Sequence, residues 1–363
     1  MWKETKVVKN VSQYNFDARY GVYATTDKDK KSFLYIGGKE ISLMRVGHVR
    51  SYEDKVVVQV DDGKWHYDAM LYTKEGELIN IVNDTISITS DTNPHYLNNC
   101  NRIGLTRYFN LIDIETGRVI FKEGLLERCP VVFNDMIFSN RDNIIIRYDW
   151  DGSILWQHNY EPDFNVTIDL GFVLEGVCGG KLWVKSKYDW HEILLAIDVN
   201  TGELIKAFSD SEEDTNLPHC NLGEFEGAYI NRENDHILIV TKDNESNYFM
   251  NFMDAKTLSV FERTDYNIDL GYGNSEEYIM GISAFCGDFL TLDLECLKDD
   301  NTSGFAVYNY KKKDVVFVHR LFSQKETEKG WAISNIEFPF FNNGRIFIHD
   351  FADRLHIFED VKD

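Results

Sequence analysis

The chain has 363 residues, 43% of them hydrophobic and 14% aromatic, so it can bury a large core. Thirty-eight Lys and Arg face 60 Asp and Glu, a net charge of −22 that disfavours binding to nucleic-acid phosphate or an anionic membrane surface. No apolar window approaches the ~18 residues of a membrane-spanning helix, and the six cysteines (100, 129, 178, 220, 286, 296) are dispersed, with no CxxC pair.

Residues 1–6 (MWKETK) carry no apolar stretch, so a secretory signal is not expected. A reduced, cytoplasmic, monomeric protein is the expectation. The many Phe, Tyr, Val and Ile favour strands, and five prolines argue against long linkers.

In chain order, residues 5–10 (TKVVKN) read as a strand that precedes the first repeat. Two kinds of turn then alternate. The first recurs at Glu53-Asp54, Asn134-Asp135, Gly179-Gly180, Asn231–Asp235, Gly287-Asp288 and Asn342–Gly344, with weaker copies at Asp17–Arg19 and Asn98–Arg102. The second recurs at Gly37-Gly38, Glu75-Gly76, Thr116-Gly117, Asp151-Gly152, Thr201-Gly202, Ala255-Lys256 and Lys311-Lys312. Its clearest copy is Ala196–Phe208 (AIDVNTGELIKAF), where Asp198 can accept bonds from the amides after it and Gly202 can take a positive φ.

The second turn repeats about every 46 residues between Gly38 and Lys312, so the chain holds about eight units. The fold class expected is all-β, a single β-propeller over 1–363 with eight four-stranded blades and seven as the alternative. The last unit, 333–358, has room for only three strands, with turns at Asn343 and Ala352-Asp353. The N-terminal strand 5–10 would supply its fourth and close the ring, hiding the sheet edges.

Ala196, Asp198, Thr201 and Gly202 resemble the A-x-D-x-x-T-G segment of the quinoprotein-like propeller repeat. Asp113, Thr116 and Gly117, followed by Phe121, resemble it too, and Asp149 and Gly152, followed by Trp156, do so loosely. The resemblance implies a β-propeller. It does not carry over the quinone or its calcium, because the chain has no vicinal cysteines and most units replace the repeat's tryptophan with Phe121, Phe208, Phe261 or Ile81. No cofactor and no metal are expected.

The two tight turns of a blade share one edge, and longer connections are expected on the other. That second edge is where function is sought. It would carry Asp61-Asp62-Gly63-Lys64-Trp65-His66 and Tyr188-Asp189-Trp190-His191, two aromatic–histidine pairs, with Trp331 as a further anchor. Asp91–His95 resembles Asp214–His219, and Ile168–Phe172 resembles Ile268–Tyr272; both read as traces of blade duplication. Six histidines (48, 66, 95, 191, 219, 349) fall near that edge without the spacing of a zinc site, His219-Cys220 being the nearest to one. Cys178 and Cys286 occupy equivalent turns, which points to structure rather than catalysis.

Asp210, Glu212, Glu213 and Asp214 form the densest acidic run. Carboxylates around aromatic anchors suit a basic protein partner. The expected function is a non-enzymatic interaction module, with an inhibitory or immunity-type role suiting the acidity. The alternative is a hydrolase or lyase with His and Asp around the central channel, although no nucleophile elbow, phosphate loop or metal motif is present.

Overall fold

The computed structural model describes all residues except 1, 18–19, 62–66, 87–92, 104–105, 123–129, 142, 161–169, 189–190, 209–223, 267, 269–276, 297–300, 321–336, 343–344, 351 and 362–363. Regular structure among the described residues is strand, with no α-helix. The chain divides into two compact units, residues 1–43 with 265–363, and residues 44–264.

The first unit opens with β1 (Trp2–Lys9), followed by β2 (Gln13–Asp17), β3 (Val22–Thr26), β4 (Ser32–Ile36) and β5 (Lys39–Leu43). Strands β2 to β5 form one antiparallel sheet in sequence order.

In the second unit, β6 (Val46–Tyr52), β7 (Lys55–Asp61), β8 (Tyr67–Thr73), β9 (Leu78–Thr85), β10 (Tyr96–Ile103), β11 (Thr106–Asp113) and β12 (Val119–Lys122) make one seven-stranded sheet. Three four-stranded sheets follow in sequence order. They are β13 (Val131–Phe133), β14 (Met136–Arg141), β15 (Ile144–Tyr148) and β16 (Ile154–Asn159); β17 (Leu170–Cys178), β18 (Lys181–Tyr188), β19 (His191–Asp198) and β20 (Leu204–Phe208); and β21 (Glu224–Asn231), β22 (His236–Lys242), β23 (Tyr248–Asp254) and β24 (Ser259–Asp265).

The first unit resumes with β25 (Glu277–Cys286), β26 (Phe289–Cys296), β27 (Asn301–Asn309) and β28 (Asp314–Arg320), again one sheet. The last sheet has the order β1, β31 (Arg354–Asp360), β30 (Arg345–Asp350), β29 (Glu337–Asn342). The N-terminal strand therefore lies antiparallel to the last strand, with Val7 opposite His356, and it begins at Trp2 rather than at residue 5. The three C-terminal strands occupy 337–342, 345–350 and 354–360. The turn at Ala352-Asp353 joins the second and third of these, as expected.

Second strands are apolar runs because both faces are covered. In β7 Val56, Val57 and Val58 are all buried, and in β22 so are Ile237, Leu238 and Ile239. Fourth strands are half exposed and alternate instead, as β24 does. Sheets stack through these faces. Phe133, Phe138 and Ile145 pack with Leu182, Val184 and Ile193, whereas Trp183 and Leu194 pack with Ile237 and Ile239.

The second turn is built by one aspartate. Asp198 Oδ1 accepts the amides of Asn200 (2.8 Å) and Thr201 (3.0 Å), and Gly202 donates to the Asp198 carbonyl at φ 73°. Asp113 holds Glu115 and Thr116 in the same way, and Asp254 holds Lys256 and Thr257. The left-handed residue four places on is Gly117 in the first case and Leu258 in the second, so the marker expected at Ala255-Lys256 belongs at Thr257-Leu258. Lys313, four places after Asn309, is also left-handed, so that marker belongs at Lys312-Lys313.

Two further expectations change. Asn98–Arg102 is the middle of β10, not a turn. Connections between second and third strands are mostly short: Asp27–Lys31 and Asp243–Asn247 are tight Asp-capped turns.

Candidate functional site

Of the residues singled out for a partner, Asp61 is described, and it ends β7 beside Arg45 (Nη1 to Oδ2 3.6 Å). Tyr188 and His191 face each other across the β18–β19 hairpin in register, and their side chains lie outside the described set. Asp62, Trp65, His66, Asp189, Trp190, Asp210, Glu212, Glu213, Asp214 and Trp331 lie outside the described residues, as do His219 and Cys220.

The described residues bring a different group together at the tight-turn edge of the second unit. His95, expected on the opposite edge, precedes β10 and directs Nε2 at Asp113 Oδ2 (3.2 Å), so it sits beside the Asp113–Gly117 turn. Its ring stacks on Tyr96 (4.5 Å between centroids) and lies against Tyr52 (4.8 Å, tilted). Tyr96 in turn meets Trp150 at 4.8 Å. Tyr52, His95, Tyr96 and Trp150 thus form a continuous aromatic run drawn from three successive repeats.

Carboxylates border that run. Glu53, Asp54, Glu115, Asp135, Asp149 and Asp151 are exposed around it. The Tyr52 hydroxyl donates to Glu115 Oε1 at 3.1 Å, and Lys55 Nζ lies 3.2 Å from the same oxygen and over the Tyr52 ring. Burial, then the Glu115 charge, raises the Tyr52 phenol above its ordinary value. Burial, then Asp135, does the same at Tyr96. At Asp113 burial pulls upward, but the Thr116 amide and His95 outweigh it and hold the carboxyl below its ordinary value. These phenols stay neutral near neutral pH, and the exposed Asp and Glu side chains form an acidic border beside the aromatic run. The sequence signal was an aromatic beside acids at each tight turn: Tyr52-Glu53-Asp54 and Asp149-Trp150-Asp151.

Three other titratable groups among the described residues are shifted mainly by burial. Cys178 is buried, and burial followed by Asp235 pushes its thiol up to about 12, which leaves it protonated and inert near neutral pH. Burial lowers His48 to about 4. Burial raises Asp293 to about 6, partly opposed by the Ser283 hydroxyl that donates to it. Among the described residues no group of three His, Cys, Asp or Glu side chains could hold a metal ion, and no helix is long and apolar enough to cross a membrane.

No family model matches this sequence, and no curated protein matches it. Among solved structures, the chain is similar to the crystal structure of Saccharomyces cerevisiae Sqt1 at a TM-score of 0.50 and 10% identity, over 99% of this chain and 98% of that one. The fold is a β-propeller. Fainter likenesses join the propeller to BamB from Moraxella catarrhalis (TM-score 0.48, 10% identity, 100% and 99% covered) and to a chain of a mitotic checkpoint complex (0.43, 8%, 99% and 92%).

Proposed function

We propose that this propeller is a non-enzymatic interaction module, cytoplasmic and monomeric, that holds a basic protein partner on the aromatic run Tyr52–His95–Tyr96–Trp150 and its acidic border. The observation that carries the reading is that border: six exposed Asp and Glu side chains lie beside a continuous aromatic run, while Lys55 within the group is engaged by Glu115. Within the run Tyr52 is buried, while His95, Tyr96 and Trp150 are partly exposed. Such partly exposed aromatics supply contact area at low entropic cost, and a rim of one charge sign steers a partner of the other. The net charge of −22 extends the same field over the whole molecule. An inhibitor of a basic enzyme or toxin is the role this chemistry suits.

In this reading the chain is one eight-bladed ring closed by β1. The acidic run 210–214 and the tryptophans 65, 190 and 331 are read as further partner contacts.

The test is binding kinetics with the partner that copurifies with the tagged protein, at two salt concentrations. Changing Glu53, Asp54, Asp149 and Asp151 to Ser should slow association and flatten its salt dependence, since screening acts over about 8–10 Å. Trp150→Ala should instead speed dissociation, at a cost of about 2 kcal/mol if it is an anchor. A four-Ser variant that keeps the wild-type association rate and salt slope would remove the reading.

A further inference from the structure

The N-terminal strand is held by a buried ion-pair network in the first unit. His356 lies on β31 with its side chain 8% exposed. Its Nδ1 lies 2.6 Å from Glu4 Oε1 on β1, and its Nε2 lies 2.9 Å from Asp350 Oδ2 on β30. A neutral imidazole has one N–H, and only the protonated ring donates from both nitrogens. With carboxylates on both sides, the geometry fits the imidazolium.

We propose that the Glu4–His356–Asp350 bridge is a proton-dependent latch, which holds β1 against β31 while His356 carries both ring protons and loosens β1 once one is lost.

Which partner lets go follows from the surroundings. Asp350 is fully buried and is also held by the Arg354 amide (3.0 Å) and Arg354 Nε (2.7 Å). Glu4 is 36% exposed and belongs to a strand that buries little apart from Trp2. Trp2 packs with Phe305, Val307, Ile346, Ile348 and Phe358. The β1–β31 ladder is also interrupted between Glu4 and Lys6. Loss of the His356 proton therefore leaves Asp350 satisfied and weakens the hold on β1 at Glu4.

Among the described residues, the charged and titratable groups that bear on His356 are Glu4 on β1, Asp350 on β30, Arg354 on its own strand and His319 on β28. Burial opposes the charge on His356, but Asp350 and Glu4 outweigh it and raise the ring above its usual 6.5. A folded value above the unfolded one gives stability that is complete below about 6.5 and lost as pH rises through the raised value. Asp350 lies below its usual 3.8, so its own contribution is lost only in acid. Burial lowers His319, which is neutral in the fold above pH 6.5 and adds no competing change on the alkaline side.

The experiment is hydrogen exchange of the full chain between pH 6 and 9, with amide rates corrected for intrinsic pH dependence. Peptides covering residues 2–9 are compared with the β22–β23 hairpin as internal reference. Relative protection of 2–9 should fall by up to about tenfold per pH unit above the His356 value. His356→Gln and Glu4→Gln should flatten that dependence. If His356→Gln does not fold, Glu4→Gln, at a half-exposed position, carries the test. A wild-type ratio constant from pH 6 to 9, or a wild-type slope in the folded variants, would overturn the latch.

Discussion

Trp156 Nε1 donates to the Val199 carbonyl at 2.8 Å, and its indole lies directly over Gly202: a Cβ added there would come within 2.7 Å of the ring. One sheet's outer tryptophan thus docks on the Asp198–Gly202 turn of the next. Gly202 meets two demands, a left-handed φ of 73° and the absence of a side chain under the indole.

Gly117 separates those demands. Its φ is 67°, yet nothing lies within 4 Å of the position a Cβ would take. Gly117→Ala should cost about 1 kcal/mol through backbone strain alone. Gly202→Ala should cost about 2–4 kcal/mol, because the indole must also move. Chemical denaturation of both variants checks this, and equal losses would show that the Trp156 contact adds nothing.

Gln59 holds the end of β9 where it meets the next repeat. Fully buried, it donates from Nε2 to Thr85 Oγ1 (3.0 Å) and to the Ile86 carbonyl (2.7 Å). Asp84 is left-handed at φ 56°, and beyond it Thr85 pairs with Asn99 of β10, so β9 ends by bridging two repeats into the seven-stranded sheet. Gln59→Leu should destabilise by about 1–3 kcal/mol, because buried acceptors lose their donor. Hydrogen exchange at Ile86, which donates to Asn98 O, should rise with it. Wild-type stability in the variant would mean that Gln59 is not what fixes this junction.

Asp113 predicts a pH signature. Its folded value lies below 3.8, so its contribution is present above that pH and disappears as pH falls through the folded value. Asp113→Asn should cost about 1 kcal/mol at pH 7, with the gap to wild type narrowing below about pH 4. Parallel denaturation midpoints from pH 7 to pH 3 would contradict it.

Cys178 should resist alkylation. With its thiol pushed to about 12 and 2% of the residue exposed, labelling at pH 8 should be far slower than in the unfolded chain. Peptide mapping after iodoacetamide reads the site directly, and rapid native labelling of Cys178 would mean that the β17–β18 turn opens readily.

The repeat was legible because its turns are local chemistry. Asp198 and Gly202 build a hairpin within five residues, so their types announce it. Leu258 and Lys313 hide the same turn, because a left-handed backbone held by Asp254 or Asn309 tolerates a non-glycine residue. Asn98–Arg102 misled because asparagines that look like a turn are strand residues there, Asn98 donating to the Pro130 carbonyl.

By itself the sequence determined the strand-and-turn period, the all-β class, the acidity, and an N-terminal run fit to pair with another strand, since each depends on residue type within a few positions. The tertiary structure alone decided which turns became neighbours. It placed His95 against Asp113 and Tyr52, Trp156 over Gly202, and Glu4 against His356, pairs separated by 18 to 352 positions. Such pairings depend on how the sheets stack and register, a long-range property that no local pattern of residues encodes.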